Sequence, residues 1–320
     1  MPHLLVEVGW GIRHPQWKYA RSVYEQLFMV GYQRVPALDT LTSTADVLFV
    51  PQVAAVPTLD DHSCLFTAFF FDNGAHESAY LTSIIKMFET LRGRPFFFAT
   101  ERATFDQLVA SGVHTWPACH IEVVELTDTE TWRRYGAKYR AAALDEKNKE
   151  VVAQAYSNVN LLLIWHFKFE LLQLARRFAS SSAQPSSSLC YLDAGIFRPE
   201  LVHFVSDFMA HGCVVKAKKA IAVNYTREEM DSHIDEFRLI QFGQNEIACN
   251  HLFFHCDIVA TVTKLCLETI DALLDRGIIT SEQRVFTLAA RRLYATQPSL
   301  FSFCKHPLRP RCNYSVALHI

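Results

Sequence analysis

From Cys64 to Leu126 the chain alternates short apolar runs with segments of helical period, and few folds satisfy that alternation. Leu65 to Phe71 is an aromatic, apolar run of strand length, closed by the turn signal Asp72-Asn73-Gly74. Glu77 to Leu91 places Tyr80, Ile84, Ile85, Met87, Phe88 and Leu91 at helical spacing, with Gly93 and Pro95 ending the segment. Phe96 to Ala99 reads as a second buried strand, Thr104 to Val109 as a helix, and Ile121 to Leu126 as a third strand. Strands joined at this spacing by helix-length connections predict a Rossmann-like α/β fold, with a mixed, mainly parallel sheet flanked by helices.

The remainder extends this pattern. Asp128 to Asn148 is polar and helix-prone, with Trp132, Tyr135 and Tyr139 on one face. Asn158 to Phe178 is apolar on almost every side, which predicts a deeply buried helix. It leads through the Ser-rich loop Ser180 to Ser188 into a strand ending at Asp193. Val202 to His211 reads as a helix, Cys213 to Val215 and Ala220 to Val223 as short strands, and Glu246 to Phe254 as a further strand. Thr261 to Leu274 is amphipathic and ends at Gly277, and Ser281 is placed to cap a last helix over Glu282 to Leu293. Before Cys64, Trp17 to Val30 has helical spacing, Asp46 to Val50 is a strand stopped by Pro51, and Pro51 to Asp61 reads as a connector. The expected organisation is an N-terminal accessory segment, 1–62, followed by the main domain, 63–320.

Composition narrows the function classes. Half of the 320 residues are hydrophobic, so a large core is expected and disorder is not. A formal charge of −2 without a basic block argues against a dedicated nucleic-acid surface. The nine cysteines include no Cys-X-X-Cys pair, which reads as reduced thiols in a cytosol-like compartment. Met1 to Val8 lacks the basic and apolar regions of a signal peptide, and the apolar stretch Leu161 to Trp165 is too short to span a bilayer. A soluble, cytoplasmic protein without a transmembrane segment is expected.

Four groups of residues can carry chemistry. Tyr191-Leu192-Asp193-Ala194-Gly195-Ile196-Phe197-Arg198 puts a carboxylate at the end of an apolar strand, next to a Gly. A carboxylate at a sheet's carboxyl edge sits where open α/β sheets bind ligands, and it can hold a hard cation against a diphosphate. The alternative is an Asp that caps its turn or pairs with Arg198. Asn250 and His251 are polar residues in a strand expected to be buried, so they need partners from the core or from a sugar's hydroxyls. Glu282 and Gln283 open a helix, where an acid suits the macrodipole with or without a functional role. Cys304 to Arg311 gathers Lys305, His306, Arg309 and Arg311 in a Pro-stiffened loop able to neutralise a leaving diphosphate, or simply a solvated basic tail.

In this order the residues resemble a known family. Phe66 to Gly74, the Tyr80 helix and Pro95 to Phe98 look like the opening of HtrL/YibB-type proteins, and Tyr156 to Lys168 with Tyr191 to Arg198 look like its central motif. Ile247 to Phe254, Gly277 to Gln283 and Pro298 to Phe301 are similar to its end, so the resemblance covers about Cys64 to Phe303. It implies a GT-A-like domain over 63–320 and a glycosyltransferase taking its sugar from a nucleotide-diphosphate donor, a UDP-sugar, for an unknown acceptor. It also implies a Mn2+ or Mg2+ ion held by Asp193 and His306. The donor would be met by Asp72, Lys168, Asp193, Gly195, Arg198 and Asn250, and Glu282 and Gln283 would face the reaction centre. Three positions depart from the pattern: Gly195 stands where Asp-X-Asp enzymes keep a second acid, Glu282 replaces an Asp, and no Arg follows the first strand. The alternative reading is therefore a catalytically silent GT-A-like domain that binds a nucleotide, glycan or protein partner. A glucosyltransferase acting on nucleic acid is disfavoured by the near-neutral charge.

Overall fold

The computed structural model describes residues 4–8, 32–34, 45–51, 64–72, 77–113, 115–116, 118–155, 157–181, 186–197, 220–223, 225–243 and 246–303, with 4–51 and 77–79 described through the backbone alone. The chain divides into two compact units, Met1–Pro57 and Thr58–Ile320. In the first, β1 (Leu4–Val8), β2 (Tyr32–Arg34) and β3 (Ala45–Pro51) form an antiparallel sheet in the order β1-β3-β2. The expected strand at Asp46 is β3, while β1 and β2 were not anticipated. The expected helix at Trp17 to Val30 lies outside the described residues.

The second unit is built on a seven-stranded sheet. Its strands are β4 (Cys64–Phe70), β5 (Phe96–Thr100), β6 (Cys119–Val123), β7 (Ser188–Leu192), β8 (Ile221–Val223), β9 (His251–His255) and β10 (Phe301–Phe303). Their order is β10-β8-β9-β7-β4-β5-β6. Every neighbouring pair is parallel except those made by β9, which runs against both β7 and β8. The helices are α1 (Glu77–Thr90), α2 (Arg102–Ala110), α3 (Glu130–Ala142), α4 (Lys149–Gln154), α5 (Val159–Ser181), α6 (Arg227–Asp231), α7 (Glu236–Phe242), α8 (Cys256–Asp275) and α9 (Glu282–Thr296).

The central strand shows why its sequence is apolar without alternation. Six of the seven β4 residues are buried and the last is half-buried. Successive side chains point to opposite faces. Leu65, Phe69 and Phe71 join one hydrophobic cluster, with α5, α8 and α9 residues, while Cys64, Phe66 and Ala68 join another, with Ile84, Met87, Phe88 and Leu91 of α1. A sheet covered by helices on both faces needs apolar residues at every position. The fully buried Phe167 of α5 sits edge-on to Phe69 and Phe71, with ring centroids 5.3 Å and 4.9 Å away. Cys64, Cys190, Cys249, Cys256 and Cys266 are buried cysteines outside any disulfide, and they pack as small groups in the core.

Some element boundaries differ from those expected. The strand predicted over Glu246 to Phe254 begins only at His251, because the preceding chain bonds to α9 instead of to a neighbouring strand. Ile247 N donates to Thr287 Oγ1 at 2.8 Å, and Arg284 engages Glu246. The strand expected over Ile121 to Leu126 is β6, which ends at Val123, and Leu126 opens a short 3-10 turn. The polar run from Asp128 breaks after Ala142, where Asp145 accepts from Lys147 N and starts a new turn. The elements expected at Val202 to His211 and Cys213 to Val215 lie outside the described residues. No helix among the described residues is long and apolar enough to cross a membrane.

Phe167→Ala is expected to lower unfolding free energy by about 3–5 kcal/mol, because neither aromatic neighbour can fill the void. Urea denaturation followed by circular dichroism measures this.

Candidate functional site

Strand order locates the site before any side chain is considered. From β4 the chain steps to β5 and β6 on one side and then returns to place β7 on the other. The crevice beyond the carboxyl ends of β4 and β7 is therefore the point where the order reverses, the usual ligand position in an open α/β sheet. Asp72 follows the end of β4 and Asp193 follows directly after β7. Because β9 runs the other way, it starts at this same edge, with His251 opposite Leu192. Asn250, next to it, accepts the Asp193 backbone N–H on its carbonyl at 2.7 Å. Asp193 and Asn250 thus meet at the crevice through the main chain, although Asn250 lies before the strand, not within it.

The loops at this edge are held by their own polar groups. Asp193 Oδ1 accepts the Gly195 N–H at 2.7 Å, an Asx-type turn that fixes the direction of the carboxylate. Glu101, at the end of β5, accepts the Asp72 N–H on Oε1 at 2.7 Å. Burial raises the Glu101 carboxyl pKa, against the lowering effect of that bond. The side-chain oxygen of Asn250 is buried and makes no hydrogen bond among the described residues. A buried acceptor without a donor marks a place where a ligand can supply one.

Beneath the edge lies a buried ion pair. Lys168 of α5 is 2 % exposed and Glu282 of α9 is 5 % exposed, with Lys168 Nζ 2.9 Å from Glu282 Oε1. The same ammonium donates to the Cys249 carbonyl at 2.8 Å and stands 4.5 Å from the centroid of the Tyr191 ring. Burial alone would depress the Lys168 pKa. Attraction from Glu282, then Cys249 and Asp193, outweighs it and holds the pKa above the ordinary lysine value. Two residues earlier in α5, His166 Nε2 lies 2.7 Å from Tyr139 Oη and 2.9 Å from the Thr280 carbonyl, and its Nδ1 is buried without a partner among the described residues. Burial brings the His166 pKa down to about 4.

The residues expected from sequence are thus only partly assembled. Asp193, Gly195 and Asn250 share the crevice, Asp72 stands at the adjoining strand end, and Lys168 and Glu282 form the pair below. Gln283 follows in the first turn of α9, half-buried, its carbonyl accepting Thr287 Oγ1 at 2.7 Å. Ser281 occupies the cap position, yet its hydroxyl makes no capping bond. Arg198 and His306 lie outside the described residues. Glu101, His166, Tyr191 and the Cys249 carbonyl were not singled out from sequence. The available signal was two polar side chains, His166 and Lys168, within an otherwise apolar helix.

No three of His, Cys, Asp and Glu converge on a metal position among the described residues. The carboxylates that follow the two strand ends, Asp72 and Asp193, are oxygen ligands of the kind that a hard cation takes. Two surface cavities lie elsewhere. One of about 90 Å³ is lined by Glu130, Tyr135 and Glu170, and one of about 390 Å³ by Leu144, Glu146 and Ser157. Neither includes a residue of the sheet edge.

No protein-family model matches this chain, and no curated protein matches it. Solved structures similar to it include the apo form of mouse xyloside xylosyltransferase 1, at 10% sequence identity and a TM-score of 0.39, covering 75% of this chain and 84% of that one.

Lys168→Met should destabilise the protein by about 3–5 kcal/mol, because Glu282 would stay buried without its counter-charge. Adding Glu282→Gln should recover part of the loss in denaturant titrations. A second expectation concerns acid. The unfolded chain protonates His166 near pH 6.5, whereas the folded protein resists until about pH 4. Stability from this group is therefore complete above pH 6.5 and falls as the pH drops towards 4, by roughly 3 kcal/mol in total. His166→Gln should remove that part of the slope when unfolding is measured across this range.

Proposed function

We propose that this chain is a glycosyltransferase of the GT-A type, related to HtrL/YibB proteins. In this reading it moves a sugar from a nucleotide-diphosphate donor, a UDP-sugar, to an acceptor. The observation that carries the reading is the meeting of Asp193 and Asn250 through the main chain where the strand order reverses, with the Asn250 side-chain oxygen left without a hydrogen bond among the described residues.

Each residue then has a task. Asn250 accepts a hydroxyl of the donor sugar, completing its missing hydrogen bond. Asp193 takes the diphosphate side of the donor, with Asp72, Gly195 and Arg198 around it. A Mn2+ or Mg2+ ion bound by Asp193 and His306 would supply positive charge to the leaving diphosphate. Lys168 fixes Glu282 as a buried negative charge, which favours electrostatic stabilisation of an oxocarbenium-like centre over proton abstraction, and Gln283 contacts the sugar beside it. The first unit, with the segment to residue 62, serves as an accessory to the domain that follows.

A second reading rests on Gly195. Without a second acid in the motif, the domain would bind a nucleotide, glycan or protein partner and carry out no transfer.

Thermal-shift measurements with UDP, GDP, CMP and their sugar conjugates, with and without manganese, separate the two. One nucleotide family should stabilise the wild type by about 2.7 kcal/mol at a hundredfold excess over Kd. Asp193→Asn should lose that effect; an unchanged shift in the variant would overturn the site assignment. Ligand stabilisation without hydrolysis of the sugar nucleotide would favour the silent domain.

A further inference from the structure

Gly195 stands where a second acid is expected, and its surroundings explain what occupies that place instead. A Cβ added at Gly195 would meet Asp193 Oδ1 at 3.0 Å, then Tyr80 Cε1 at 3.7 Å and Tyr80 Oη at 3.9 Å. Any side chain at this position presses first on the carboxylate that the Gly195 N–H itself holds at 2.7 Å. The space where a second carboxylate would project is already bounded by the Tyr80 ring. A side chain at Gly195 would therefore need the Asp193 carboxylate to give way by a few tenths of an ångström, while Tyr80 lies at ordinary contact distance.

Tyr80 reaches this point from the other side of the reversal. It lies in the first turns of α1, the helix that follows β4, and it is half-buried. Its ring packs against Phe70, the last residue of β4, with centroids 5.4 Å apart and planes tilted by 33°. Phe70 therefore supports the ring while the hydroxyl end approaches Gly195. Asp193 Oδ1 and Tyr80 Oη both come within 4 Å of the same point above the Gly195 Cα. A glycine there lets a ligand come close to the backbone between the two.

Resting on the glycosyltransferase reading above, we propose that Tyr80 is a donor-contacting residue, its hydroxyl donating a hydrogen bond to a phosphate oxygen of the nucleotide diphosphate. The chemistry separates Tyr80 from the acid it replaces. A carboxylate accepts hydrogen bonds and repels a phosphate unless a metal lies between them, whereas a phenol O–H donates to phosphate directly. The site then divides the work: Asp193 faces the cation side of the diphosphate, and Tyr80 faces its oxygens.

The test compares UDP with uridine by titration calorimetry on the wild type and on Tyr80→Phe, which keeps the ring and its packing on Phe70. Tyr80→Phe should weaken UDP binding about tenfold, the loss of one hydrogen bond to a charged group, and leave uridine affinity unchanged. Equal UDP affinity in the two proteins overturns the proposal, as does an equal loss for uridine and UDP. Gly195→Ala is a second arm: its methyl fills the ligand's approach, so UDP affinity equal to the wild type in that variant also overturns it. A wild type that binds neither ligand overturns the UDP-sugar reading above, which distinguishes the failure of that reading from the failure of the Tyr80 assignment alone.

Discussion

The ammonium of Lys168 connects the core of this protein to its candidate site. It sits in the most buried stretch of α5 and would be costly there alone, since a buried charge needs a partner and filled hydrogen bonds. Glu282 supplies the charge and the Cys249 carbonyl a further acceptor, at 2.9 Å and 2.8 Å. These contacts tie α5 to α9 and to the chain leading into β9. The next residue, Asn250, receives the Asp193 backbone N–H at 2.7 Å. Two successive contacts therefore lead from a core lysine to the backbone of Asp193, whose position is set from beneath.

Topology supplies the second constraint. Only where the chain reverses its direction of travel across the sheet do two strand ends lack a covering crossover between them. Here those ends belong to β4 and β7, and each is followed by an aspartate. The antiparallel β9 adds a third contribution, since its first residues enter at the edge where the parallel strands leave. A fully parallel sheet would have put Asn250 at the far end of the molecule from Asp193.

Gly195 acquires a physical meaning in this setting. Asp193 spends one oxygen on the Gly195 N–H, and Tyr80 borders the space beyond. Asp72 and Asp193 both follow strand ends at this edge, so an anion arriving there needs hydrogen-bond donors or a cation beside it. The buried Glu282 is held by Lys168 at 2.9 Å.

Much of the fold was legible in the sequence. The strand-length runs at Leu65, Phe96 and Tyr191 and the helices beginning near Glu77, Val159 and Glu282 follow from hydrophobic period and turn residues, which depend on neighbours a few positions away. The same local logic failed at Glu246 to Asn250, where Thr287 and Arg284, about 40 positions later, capture the backbone and a side chain. Asp193 could be singled out because a polar residue ending an apolar strand is a local signal. Lys168 and Glu282 could each be named, but not their pairing, which joins residues 114 positions apart. The sequence by itself determined the alternation of strands and helices and the carboxylates at strand ends, because periodicity and turn chemistry are written in adjacent residues. Only the tertiary structure decided the strand order, the reversed β9 and the burial of the ion pair, because these depend on which distant segments share one hydrophobic core.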